Sequence, residues 1–193
     1  MSMNTFSEKG FTLVETLVSI TILLIIVTGP LTISMTSAKS TSFASEQVVA
    51  FFLAQEGAEI AQKARDEYWL ADVVNVETKW DEFAADDVGA DFRKCFEGTG
   101  CGLELATDAG GTLKPIISCM GTSCRLRFND SDVRARYTYA AVGEESLYTR
   151  KIFFTKVSAS DVKVVSEVTW RTGTRREVQK VEVETHLLNV YAN

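Results

Sequence analysis

Residues 16–38, TLVSITILLIIVTGPLTISMTSA, contain no charged side chain. That is long enough to cross a bilayer as a helix, which takes about 20 residues. Within the stretch, residues 20–27 are apolar on every face. A helix of that kind sits in the core of a large protein or in a membrane. At 193 residues the chain has room for one ordinary domain plus an extra element, so a core large enough to enclose it is excluded. A secretory signal peptide also fits poorly, because its hydrophobic region is shorter, about 7–15 residues, and follows a basic segment. Here Lys9 is balanced by Glu8, and a carboxylate, Glu15, lies inside the apolar start. An ionisable group near a membrane core is costly and implies a partner.

The residues Lys9-Gly10-Phe11-Thr12-Leu13-Val14-Glu15, followed at once by the uncharged span, resemble the processing site of type IV pilins and type II secretion pseudopilins. The resemblance implies cleavage between Gly10 and Phe11 by a prepilin peptidase, then N-methylation of Phe11. A second likeness follows: residues 53–68 (LAQEGAEIAQKARDEY), together with YTRKIFF, SEVTW and the closing HLLNVYAN, resemble minor pilins of the type IV pilus modification type. That family implies a single-pass cytoplasmic-membrane precursor with its head outside the cytoplasm, later drawn into an extracellular filament. Its partners would be other pilin subunits, the peptidase, an inner-membrane assembly platform and the lipid bilayer. The leader is nearly neutral where many relatives are more basic, so orientation rests on the family and not on flanking charge.

Elementary physics gives the motif a rationale. Cleavage would leave a positively charged amine on Phe11. Glu15 lies one helical turn along, within reach of that amine in its own or a neighbouring subunit. In a low-dielectric filament core such a pair is worth far more than on a surface, so Glu15 is the candidate docking residue. Gly29-Pro30 interrupts the span, since proline removes a helical hydrogen bond and clashes one turn back. A static kink and a stretch that melts on assembly are both consistent with it.

Beyond the span the chain becomes amphipathic. Val49, Phe52, Leu53, Ile60, Ala61, Ala64 and Tyr68 recur at three- and four-residue spacing, which predicts a helix continuing to about residue 67 with that face inward. Glu56, Glu59, Lys63 and Arg65 then fall on a solvated or inter-subunit face. Residues 80–92 (WDEFAADDVGADF) read as acidic loop with a short strand or helical turn, without the alternating ligand spacing of a calcium loop. Period-two alternation of β-branched and aromatic residues predicts strands in 125–139, 148–156, 162–171 and 177–191, with a last turn at Thr172-Gly173-Thr174. The expected fold class is α+β: a long N-terminal hydrophobic helix packed against a small antiparallel sheet. The division is a leader over 1–10, a membrane or filament-core segment over 11–38, an amphipathic segment over 39–68 and a β-rich head over 69–193.

All four cysteines fall in one stretch, as Cys95 and Cys101, then Cys119 and Cys124. In a translocated head they are disulfide candidates. Four cysteines allow three pairings, and local pairing is preferred because glycines lie within each interval. A zinc site remains open, although both intervals exceed the usual two to four residues between thiolates. His186 has no nucleophile beside it in sequence, and no phosphate-cradling glycine loop follows a strand. No cofactor and no catalytic group is therefore expected, and the chain reads as a substrate of enzymes. The formal charge of -6 argues against a broad nucleic-acid face. The locally basic residues 171–180 are the only candidate DNA strip, as in a competence pilin, and otherwise read as a solvated hairpin.

Overall fold

The computed structural model describes Gly10 and residues 12–72, 74–106, 113–131, 136–172 and 177–190. The described residues fall into two compact units, one up to Ser45 and one from Glu46 onward. Both carry part of a single 59-residue helix, α1 (Leu13–Ala71), with Pro30 inside it. In the first unit α1 is long and apolar enough to cross a membrane. Large side chains of its apolar stretch, such as Leu13, Ile25 and Ile33, are exposed.

In the second unit one face of α1 is buried through Ala50, Leu53, Ala54, Gly57, Ala58, Ile60, Ala61 and Ala64. Most of these side chains are small, so the helix backbone lies close to the sheet it covers. Two short helices follow, α2 (Val76–Phe83) and α3 (Arg93–Phe96), then strands β1 (Cys101–Gly102), β2 (Ile117–Ser118), β3 (Arg125–Asn129), β4 (Arg136–Thr138), β5 (Glu144–Ser158), β6 (Asp161–Trp170) and β7 (Gln179–Leu188). All described strand pairings are antiparallel. β5 is the hub of the sheet. Thr149 pairs with Arg125 of β3 and with Thr169 of β6, and Ile152 pairs with Cys101 of β1 and with Ser166 of β6. β6 and β7 therefore extend one side of β5, while β3–β4 and β1–β2 share the other. This is the α+β, pilin-like architecture: a long N-terminal helix packed against an antiparallel sheet.

Alternation along β5 and β6 turns Ile152, Phe154, Val162 and Val164 into the core, where they meet Ile60, Ala61 and Ala64 of α1. The core is sealed by aromatic rings from outside the sheet. Phe83 of α2 stands 5.0 Å from Phe92 and 5.6 Å from Phe154, ring centre to ring centre. The indole of Trp80 donates to the carbonyl of Ala159 at 2.7 Å, docking α2 on the β5–β6 turn.

Arg150 also points inward from β5 and is fully buried. Its Nη1 donates to Glu56 Oε2 at 2.6 Å and to the Leu53 carbonyl at 3.3 Å. Nε donates to the Tyr139 hydroxyl at 2.9 Å and Nη2 to the Leu103 carbonyl at 3.3 Å. Each nitrogen of the buried guanidinium thus has an acceptor, as burying a charge demands. Glu104 is nearly as deep. Its carboxylate accepts from Thr138 Oγ1 at 2.7 Å, Lys114 Nζ at 3.0 Å and the Tyr139 amide at 3.1 Å. Burial pushes its pKa up, but these donors outweigh burial and hold it below the ordinary glutamate value.

Two expectations are corrected. Phe52 is exposed, because the inward face runs through Leu53, Ala54 and Gly57, and it instead meets Phe51 at 6.1 Å between ring centres. Glu56 does not serve only a solvated face, since it holds Arg150. Of the short strand or helical turn expected within residues 80–92, the structure has the helical turn: residues 80–83 close α2, with Val76, Trp80 and Phe83 recurring on one side. The expected turn at Gly173-Thr174 lies outside the described residues.

Two measurements follow. A Cβ at Gly57 would overlap the Ser166 hydroxyl and stand 3.2 Å from Arg150 Cδ, so Gly57→Val will destabilise the head by about 2–3 kcal/mol through overpacking. A lowered urea midpoint at unchanged slope reports this. Because the Glu104 pKa is lower folded than unfolded, its contribution is fully present above the unfolded value, about 4.3, and is lost as pH falls through the folded one. The wild-type urea midpoint will drop on acidification below about pH 4. Glu104→Gln will lower the midpoint at neutral pH and flatten that dependence.

Candidate processing and assembly segment

Gly10 is exposed, and no atom lies within 4 Å of where its Cβ would sit. Among the described residues nothing requires glycine there. Phe11 lies outside the described residues. Immediately after it, Thr12 starts α1: the Glu15 amide donates to Thr12 Oγ1 at 3.3 Å, and the Thr16 amide donates to the Thr12 carbonyl at 3.2 Å. Thr12 is therefore the helix cap, satisfying one of the first amides that no helical carbonyl can reach. The T-x-x-E spacing from Thr12 to Glu15 is a capping-box signature that the motif reading passed over. Glu15 also places a negative charge in the first turn, where the helix dipole favours it.

Along the apolar part, the threonine hydroxyls bond back into the helix. Thr16 Oγ1 donates to Leu13 O at 2.8 Å, Thr21 to Leu17 O at 2.8 Å, Thr28 to Ile25 O at 3.2 Å, Thr32 to Thr28 O at 2.9 Å and Thr36 to Ile33 O at 2.9 Å. Hydroxyls paired this way can enter an apolar environment without the penalty of an unmade hydrogen bond. Gly29 and Pro30 both lie within α1. Pro30 has no N–H for the Ile26 carbonyl one turn back.

In the head, Cys95 bonds to Cys101 and Cys119 to Cys124, the local pairing of the three. The first bridge ties α3 to β1, and the second closes the loop before β3. Among the described residues no group of three or more His, Cys, Asp or Glu side chains is placed to hold a metal. His186 Nδ1 lies 2.9 Å from Asp161 Oδ1, and both sit on the sheet surface. Of the basic stretch, Arg171 is exposed, while Lys180 is held by Glu182 at 2.8 Å and Glu167 at 3.7 Å. Residues 173–176 lie outside the described residues.

Residues 5–29 match the family model described as the prokaryotic N-terminal methylation motif. No curated protein and no solved structure matches the chain. The matched residues include Gly10, Phe11, Glu15 and Gly29, and most of the helix face just described. The chain thus carries the prepilin-type cleavage and methylation motif at the start of the helix that organises a pilin-like fold.

Proposed function

We propose that this protein is a structural subunit of a type IV pilus, a minor pilin. Prepilin peptidase cuts it between Gly10 and Phe11, Phe11 is N-methylated, and α1 carries it through the membrane into the filament. One observation carries this reading: the methylation motif of residues 5–29 runs into a membrane-length apolar stretch of α1 whose side chains no described residue buries. Lipid covers such a surface before assembly, and neighbouring helices of the same kind cover it afterwards. The Glu15 carboxylate then pairs with a Phe11 amine and sets the register of the incoming subunit. Gly29 and Pro30 mark where the helix yields on leaving the membrane, because the Ile26 carbonyl has already lost its backbone donor. The two disulfides suit a head that operates outside the cytoplasm. A pseudopilin of a type II secretion system would share the N-terminal observations, and neighbouring genes for a retraction ATPase or a secretion-type secretin separate the two.

Mass spectrometry of the protein purified from its native membrane should find N-methyl-phenylalanine at residue 11 as the first residue. An intact leader, or a cut after Ala38, overturns the proposal. Glu15→Leu should still be processed, yet enter filaments far less than the wild type, because an unpartnered buried amine costs about 3–5 kcal/mol. Incorporation at the wild-type level would remove Glu15 from the docking role.

A further inference from the structure

On the face of the sheet turned away from α1 there is a cavity of about 530 Å³, a volume in the range of small-ligand sites. Its base is formed by Thr149 and Thr169, partners across the β5–β6 ladder, so their side chains stand side by side. One rim is Gly121 and Thr122, in the loop that the Cys119–Cys124 bridge closes. That loop is tightly specified. Gly121 takes a positive φ of 62°, a conformation that favours glycine. The Ser123 hydroxyl donates to the Ser118 carbonyl at 2.6 Å, and the Arg125 amide donates to the Thr122 carbonyl at 3.0 Å. The bridge thus fixes Thr122 at the edge of the cavity.

The chemistry of the lining is unusual for this chain. The protein carries a net charge of -6, yet Arg125 and Arg171 both line the cavity and no carboxylate of a described residue does. Arg125 is aimed by its Nε donating to the Ser146 carbonyl at 3.0 Å, with Nη1 3.5 Å from Glu145 and Nη2 bonded to no described residue. Arg171 and the hydroxyls of Thr122, Thr149 and Thr169 make no side-chain hydrogen bond with a described residue. The half-exposed Leu147 and Val178 supply apolar wall. Guanidinium groups suit a carboxylate, free hydroxyls suit a polyol, and aliphatic walls suit the C–H face of a sugar ring.

We propose that this cavity binds an acidic sugar: a carboxylated saccharide whose carboxylate is taken by Arg171 and Arg125 and whose hydroxyls meet the three threonines. A single-stranded nucleic acid fits it less well, because such binding relies on exposed aromatic faces for stacking. Trp170, the only aromatic residue of the lining, is 3% exposed. The site depends on the head alone and stands whether the subunit belongs to a pilus or a pseudopilus.

The test is calorimetric titration of the full chain in lipid nanodiscs with trigalacturonate, its methyl ester, maltotriose and a short oligothymidylate. Trigalacturonate should bind with a dissociation constant below about 1 mM, and Arg171→Gln should weaken it about tenfold or more. Maltotriose and the methyl ester, which lack the charge, should bind at least as weakly as that variant does to the acid. Lys156→Gln, on an exposed side chain outside the cavity, should leave binding unchanged, and the urea midpoint of Arg171→Gln should match the wild type. Absence of trigalacturonate binding overturns the proposal. So does binding that survives Arg171→Gln, or oligothymidylate binding equally tight and equally sensitive to that variant.

Discussion

The close approach of α1 to the sheet depends on a face made almost entirely of alanine and glycine. Ala50, Ala54, Gly57, Ala58, Ala61 and Ala64 present little more than backbone, so the strands can come near enough for Arg150 to reach the Leu53 carbonyl and Glu56 together. A larger side chain at Gly57 would push the Ser166 strand away and part those contacts. The guanidinium is worth its burial only while all its acceptors are in range, since a buried charge with a missing partner is worse than none. Packing and electrostatics are therefore one constraint in this head. The small residues set the spacing, and Arg150 penalises any departure from it. The same arginine joins Tyr139 and the Leu103 carbonyl, so one side chain holds the helix, the hub strand and the segment beside β1.

Much of this was legible in the sequence because simple periods carry it. The uncharged span, apolar on every face, shows in length and composition alone, while the three- and four-residue spacing of Leu53, Ile60, Ala61 and Ala64 and the alternation of β5 to β7 each follow from one element burying one face. Arg150 was harder to read, although a signal existed. The alternation that turns Ile152 and Phe154 inward also turns Arg150 inward, and an inward arginine calls for a carboxylate on the facing element. Glu56 supplies it from the helix edge, where it looks like one more solvated acid. Helix α2 was obscured by its acidic composition, even though Val76, Trp80 and Phe83 are spaced for one helical face. Strands β1 and β2, two residues each, are too short for any period to show. β1 is placed by pairing with β5 and by the Cys95–Cys101 bridge, and β2 by pairing with β1. The sugar-sized cavity had no sequence signature, because residues from the Cys119–Cys124 loop, β5, β6 and the segments flanking the last hairpin meet there only through strand register.

The apolar part of α1 solves a different problem, that of polar groups with no water. Its threonines return their hydroxyls to carbonyls three or four residues back, so a stretch with many hydroxyls remains fit for hydrocarbon. Pro30 works in the opposite direction, leaving the Ile26 carbonyl without an amide. The two nearest threonines do not repair this, since Thr28 bonds to Ile25 and Thr32 to Thr28. The weakest point of backbone bonding in the span therefore lies beside Gly29, the residue that costs a helix most after proline. The yielding proposed for this helix on assembly rests on that concentration of weakness, which a static kink would share.

The start of α1 separates two roles that a glutamate there can play. Helix initiation needs an acceptor for the early amides, and Thr12 provides it through the backbone N–H of residue 15. That bond would survive replacement of the Glu15 side chain, because the donor is main chain. The carboxylate accepts no hydrogen bond from a described residue, and its remaining local benefit is the modest attraction of a negative charge to a helix N-terminus, about 0.3–1 kcal/mol. Against that stands the larger cost of carrying an acid into an apolar span. Local helix chemistry alone does not account for an acid at residue 15, whereas the amine proposed at Phe11 would. The docking role proposed for Glu15 rests on this imbalance: a charge that gains so little within its own helix is the one whose partner is to be sought at the boundary between subunits.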